Sequence, residues 1–83
     1  MMINGFELSQ HARHQIQERN LQTSWLEETL SSPDRLLPDA DPYSNTHYLK
    51  QILDFENRWL RVVVNPNVVP KRVVTIFFDR RVK

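Results

Sequence analysis

Apolar residues in this chain recur first at helical spacing and then in alternation. Leu8, Ala12 and Ile16 stand four apart, which is the spacing of one helix face. Ser9 is a good N-cap, Leu8 before it can staple the first turn, and Asn20 tolerates the left-handed backbone at a helix end. These signals predict a first helix over residues 10–19. Ser24-Trp25-Leu26-Glu27 then has capping-box spacing and opens a second helix through Leu30. Trp25, Leu26, Thr29 and Leu30 form its apolar side, and Pro33 ends it. Two short helices with a brief connection should pack as a pair.

After Pro33 the pattern favours strands. Residues 35–37, between Pro33 and Pro38, fit only a short edge strand. Residues 38–45 read as a polar loop with Pro42 and Asn45 as breakers. Residues 46–55 and 59–65 read as a hairpin turning at Glu56-Asn57, and residues 72–81 as the last strand. Residues 1–6 read as a lead-in holding the only glycine, Gly5. The expected architecture is α+β: one domain over residues 1–83, with two N-terminal helices packed on a three- to four-stranded antiparallel sheet.

A two-residue turn sets the hairpin register. Leu53 then faces Leu60, Gln51 faces Val62 and Leu49 faces Val64. The helix-covered face receives Leu49, Leu53, Leu60, Val62 and Val64, joined by Val74, Ile76 and Phe78. The open face receives Tyr48, Lys50, Ile52, Trp59, Arg61 and Val63, with Val73, Thr75, Phe77 and Asp79 from the last strand. A one-residue slip at the turn reverses this assignment for one strand.

Composition narrows the class. At 83 residues a single core is marginal, so a partner or a homodimer through an exposed sheet edge is a natural supplement. The chain has no cysteine, which removes disulfides and thiolate metal sites. It has no long apolar run and no signal-peptide core, so a soluble, untargeted, cytoplasmic protein with no membrane partner is expected. Charge is uneven. Residues 1–46 hold three arginines against seven carboxylates, and residues 47–83 hold eight cations against three carboxylates. A basic C-terminal half suits an anionic partner, although a solvated rim would look the same.

The open face gathers the candidate chemistry. Lys50 and Arg61 suit the charge that develops on a pentavalent phosphorane. Tyr48 or a histidine can move protons, Thr75 can donate to a phosphate oxygen, and Trp59 and Phe77 can stack a base. Arg80 and Arg81 extend the positive rim toward Lys83. On the first helix, His11 and Arg19 share one stripe with Gln15 midway. His11 and His14 have no evident third ligand, so no metal or cofactor is expected. There is no nucleophile elbow and no phosphate-cradling glycine loop.

Leu8-Ser9-Gln10-His11-Ala12, Glu18-Arg19-Asn20, the segment from Trp25 to Leu30 closed by Ser32-Pro33, and Val73-Val74-Thr75-Ile76-Phe77 resemble a bacterial family. That family is domain of unknown function 4258, related to the RelE/ParE toxin superfamily, and the resemblance spans nearly the whole chain. Here Asn20 replaces the usual glycine and Gln15 stands where arginine is frequent. The resemblance implies a compact helix-helix-sheet fold. It also implies relatives that include metal-independent ribonucleases, gyrase poisons and members without known activity.

Two functions follow as expectations. The first is a toxin-like endoribonuclease of a toxin–antitoxin system, with RNA and an antitoxin-like protein as partners. Lys50 and Arg61 would stabilise the phosphate, His11 would act as general acid or base, and Thr75 and Arg19 would position substrate beside Tyr48, Arg80 and Arg81. The second is a non-catalytic module that holds an acidic protein or nucleic acid on the same basic face.

Overall fold

The computed structural model describes residues 1–39 and 44–82. Pro42, expected as a loop breaker, and Lys83, expected on the basic rim, lie outside the described residues. The elements run β1 (Met2–Ile3), β2 (Phe6–Leu8), α1 (Gln10–Glu18), α2 (Thr23–Ser31), β3 (Arg35–Pro38), β4 (Thr46–Ile52), β5 (Arg58–Asn65) and β6 (Arg72–Phe78). Among the described residues the strands form one six-stranded sheet in the order β1-β2-β6-β5-β4-β3. Only the β2–β6 pairing is parallel. The expected α+β class therefore holds, but the sheet is larger than three to four strands and mixed rather than purely antiparallel.

The extra strands come from the supposed lead-in. Asn4 and Gly5 both take positive φ, 52° and 82°. They form the two-residue turn of a hairpin that pairs Met2 with Glu7 and Ile3 with Phe6. The Asn4 side-chain amide donates to the Glu27 carbonyl at 2.8 Å, tying this turn to α2. The hairpin then runs into α1, where the Ser9 hydroxyl accepts from Ala12 N–H at 3.0 Å.

α1 lies along the edge of β6 that β2 leaves unpaired. The Ser9 N–H donates to the Val73 carbonyl and its hydroxyl to the Val74 carbonyl, both at 3.0 Å. Further along, Gln15 Oε1 accepts from Ile76 N–H at 2.8 Å and from the Thr75 hydroxyl at 2.9 Å. α2 crosses the sheet face, burying Trp25, Leu26, Thr29 and Leu30 as its apolar pattern requires. Its expected capping box does not form. The helix begins at Thr23 behind Gln22, which makes no side-chain cap hydrogen bond.

The β4–β5 hairpin turns through residues 53–57, longer than the expected two-residue turn. Phe55 N–H bonds the Ile52 carbonyl and Arg58 N–H bonds the Phe55 carbonyl, both at 3.1 Å. Glu56 and Asn57 complete the reversal at φ 56° and 57°. Phe55 leaves the strand to stack with Trp25 and Phe78, at centroid distances of 5.0 and 4.9 Å. The register becomes Tyr48↔Val62, Leu49↔Arg61, Lys50↔Leu60 and Gln51↔Trp59. This is three residues from the expected register, and an odd shift exchanges the faces of one strand. Tyr48, Lys50 and Ile52 therefore join Leu60, Val62 and Val64 on the helix side. His47, Leu49 and Gln51 join Trp59, Arg61 and Val63 on the open side. Leu53, expected in the core, is 72% exposed in the turn.

In β6 the pairing jumps from Val63↔Thr75 to Val64↔Val73, so Val74 is the unpaired residue of a bulge. Val73 thereby moves from the expected open face into the core beside Ile76. No helix among the described residues is long and apolar enough to cross a membrane.

Candidate active site on the open sheet face

Two rows of side chains cross the face that the helices leave bare. One runs Arg35–Leu49–Arg61–Phe77 and the other Leu37–His47–Val63–Thr75 across β3, β4, β5 and β6. Leu49 and Val63, one in each row, are buried. Above them opens a shallow cavity of about 500 Å³, bordered also by Asp79, Arg81 and Val82 beyond β6. His47 and Arg61 are diagonal neighbours on adjacent antiparallel strands, which brings long side chains into reach.

Their polar groups form a continuous chain. His47 Nε2 lies 2.9 Å from Asp39 Oδ1, and His47 Nδ1 lies 2.8 Å from Arg61 Nη1. Arg61 Nε donates to Asp79 Oδ2 at 2.9 Å. Asp79 Oδ1 accepts from the Arg81 backbone N–H at 2.9 Å and from Arg81 Nε at 3.1 Å. The chain fixes the imidazole tautomer. A guanidinium can only donate, so Nδ1 must be the acceptor and Nε2 must carry the hydrogen that Asp39 receives. In this arrangement the accepting nitrogen, Nδ1, points at Arg61.

Asp79 is 4% exposed yet ionised. Hydrogen bonds from the Arg81 side chain lower its pKa to about 2, against the opposing effect of burial, with help from the Arg81 backbone N–H and from Arg61. The same pairing raises the pKa of Arg81. Arg61 is 18% exposed at its side chain, and its Nη2 group has no protein partner among the described residues. That nitrogen is the donor left for a ligand. Arg35 sits over the Trp59 ring, its guanidinium carbon 4.7 Å from the centroid. The face thus offers fixed guanidinium donors, one acceptor imidazole and two aromatic surfaces, Trp59 and Phe77.

The expected site residues are not all brought together. Arg61 and Arg81 border the cavity. Lys50 does not: it lies on the helix side, where Nζ donates to the Ser32 carbonyl at 3.0 Å and stands 3.8 Å from Asp34 Oδ1. It caps the C-terminus of α2, a favourable place for a cation. Tyr48 is also on the helix side, edge-on to Phe6 at 5.9 Å. His11 is exposed on the first turn of α1. The Thr75 hydroxyl is committed as a donor to Gln15. Arg19 and Arg80 line a different cleft with Trp25 and Phe55.

Three members of the face had not been singled out from sequence: His47, Arg35 and Asp39. Alternation in Thr46–Ile52 gives each face both polar and apolar residues, so only the turn length decides which side is open. Among the described residues no group of three histidine, aspartate or glutamate side chains is placed to hold a metal ion. Comparison with known proteins gives one finding. The family model described as Domain of unknown function (DUF4258) matches residues 8–78. No curated protein and no solved structure matches the chain.

Proposed function

The chain belongs to the DUF4258 family, and we propose that it is a toxin-like, metal-independent endoribonuclease whose working site is the open sheet face. One observation supports this most: the Asp39–His47–Arg61–Asp79 chain, which places a tautomer-fixed imidazole against a guanidinium in a cavity. In this reading Arg61 turns its Nη groups to a phosphodiester, held in line by Asp79 at Nε. That releases His47 Nδ1. The nitrogen takes the proton of the ribose 2′-hydroxyl, with Asp39 stabilising the imidazolium through Nε2. The 2′-oxygen attacks phosphorus, the bond to the 5′-oxygen breaks, and the departing oxygen takes a proton from water. The products are a 2′,3′-cyclic phosphate and a 5′-hydroxyl. Arg35 and Arg81 lie along the rim to meet flanking phosphates, and Trp59 and Phe77 offer faces to bases. Such a protein works in the cytoplasm, and an antitoxin-like protein would restrain it.

The purified protein should cleave single-stranded RNA in EDTA. His47→Ala should lower the rate about 100-fold or more, as loss of a general base does. Arg61→Ala should lower it at least as far. Cleavage that survives both substitutions would sink this site. A second reading is favoured by one observation: among the described residues the cavity border holds a single proton-moving side chain, His47, and no evident acid for the leaving group. On that reading the face is a non-catalytic module that holds RNA or an acidic protein. Salt-sensitive RNA binding without turnover would select it.

A further inference from the structure

The open-face cavity does not end at the open face. It shares Asp79 and Val82 with a smaller cavity of about 180 Å³, which adds Arg58, Trp59 and Arg80. That cavity in turn shares Arg58, Phe78 and Arg80 with a cleft of about 450 Å³, which adds Arg19, Trp25 and Phe55 on the helix side. Shared lining residues set these three side by side around the end of the sheet, past the start of β5 and the end of β6. Arg81, Arg80, Arg58 and Arg19 follow one another along this track.

The track is mainly basic, with the Glu56 carboxylate as an acidic member of its middle section beside Arg58. Arg19 and Arg80 are exposed, and neither has an ion-pair partner among the described residues. Arg58 stacks over the Phe55 ring at 4.9 Å while pairing with Glu56 at 2.8 Å. The carboxylate of Asp79 is already taken up by Arg61 and Arg81. The floor at the helix-side end is a three-ring cluster of Trp25, Phe55 and Phe78, with centroids 4.9 to 5.8 Å apart. Phe55 and Phe78 are half-buried, so part of each ring faces the cleft. Planar guanidinium groups beside ring faces suit a ligand that alternates anionic and flat aromatic parts.

We propose that this track seats a single strand of RNA that continues from the nucleotide in the open-face cavity, with flanking phosphates on Arg80, Arg58 and Arg19 and a flanking base on the Phe55–Phe78 floor. The proposal rests on the ribonuclease reading of the open face and specifies its substrate: single-stranded and several nucleotides long. A duplex does not fit, because its stacked bases cannot reach rings recessed in a cleft. An acidic polypeptide would satisfy the arginines but leave the ring floor without a flat partner.

The test is length discrimination. Anisotropy of dye-labelled RNA, in which a 2′-O-methyl group at each ribose prevents cleavage, compares a dinucleotide with an oligouridylate of about 12 nucleotides. The longer strand should bind the wild-type protein at least about tenfold more tightly. In an Arg19→Ala, Arg80→Ala double variant that ratio should fall by about tenfold, and the salt slope for the longer strand should fall by about 0.7 for each lost arginine. An unchanged ratio overturns the track while leaving the open-face site standing if the all-ribose strand is still cleaved. Failure of the wild-type protein to bind or cleave RNA of either length overturns both readings. Stronger loss of a polyglutamate peptide than of RNA in the double variant assigns the track to an acidic protein and overturns the proposal.

Discussion

The side-chain oxygen of Gln15 accepts two hydrogen bonds, from Ile76 N–H at 2.8 Å and from the Thr75 hydroxyl at 2.9 Å. The first matters more, because Ile76 is 1% exposed and its N–H has no strand beside it at this edge of β6. Gln15→Leu should therefore destabilise the protein by about 1–3 kcal/mol, the penalty of an orphaned buried donor. Thr75→Val should cost about 1 kcal/mol, since Gln15 keeps its bond to Ile76. Urea unfolding of both variants checks the order, and an equal loss would show that the Thr75 bond carries the edge. Residue-scale chemistry was only partly legible in the sequence. Gln15 stood out as a departure from arginine, but its task depends on α1 lying along a strand edge, which no local pattern reveals. Asp79 gives a pH prediction. Its pKa falls from 3.8 to about 2 on folding, so it stabilises the folded state fully above its unfolded pKa. That stabilisation is lost as pH falls through about 2. The gap in unfolding free energy between wild type and Asp79→Asn should be wide at about pH 6 and narrow toward about pH 2. A gap independent of pH would mean that packing, not charge, holds Asp79.

At the scale of elements, the two helices, the edge strand and the closing strand could be read from spacing and breakers because their signals are local. The two hairpins could be misread for opposite reasons. Asn4-Gly5 is the strongest short hairpin signal in the chain, but the flanking strands have only two and three residues, too short to show alternation. The β4–β5 turn failed by length: Phe55 continues the strand pattern in sequence but packs on Trp25 and Phe78 in space. The two registers make opposite claims for Leu53, which is 72% exposed, and agree on Leu60, which is 1% exposed. Leu53→Asp should change stability by no more than about 0.5 kcal/mol. Leu60→Ala should cost about 2–5 kcal/mol through transfer and cavity terms. Thermal melts of the pair decide it, and a large loss at Leu53 would restore the shorter turn.

Across the whole molecule, the sheet separates two kinds of cation that the sequence left together. The basic excess after residue 46 was plain from composition, but its division between faces was not, because it follows from the hairpin register. Arg61 and Lys50 illustrate the division. They lie on adjacent strands, yet Arg61 opposes Leu49 and Lys50 opposes Leu60, so their side chains leave opposite faces. A single phosphate cannot be gripped by both. Lys50 instead closes the end of α2 through the Ser32 carbonyl, with Asp34 holding both Lys50 and, through Oδ2, the Gln51 N–H at 2.9 Å. Removing it should therefore act through stability. Lys50→Ala is expected to cost about 0.3–1 kcal/mol, the value of a cation at a helix C-terminus, and to lower the melting temperature without a matching fall in RNA cleavage below that temperature. Arg61→Ala should do the reverse, with cleavage lost while a folded protein persists. Measuring both variants for melting and for cleavage in EDTA separates the faces. If Lys50→Ala abolishes cleavage in a protein that remains folded, the helix side takes part in the chemistry and the open face does not act alone.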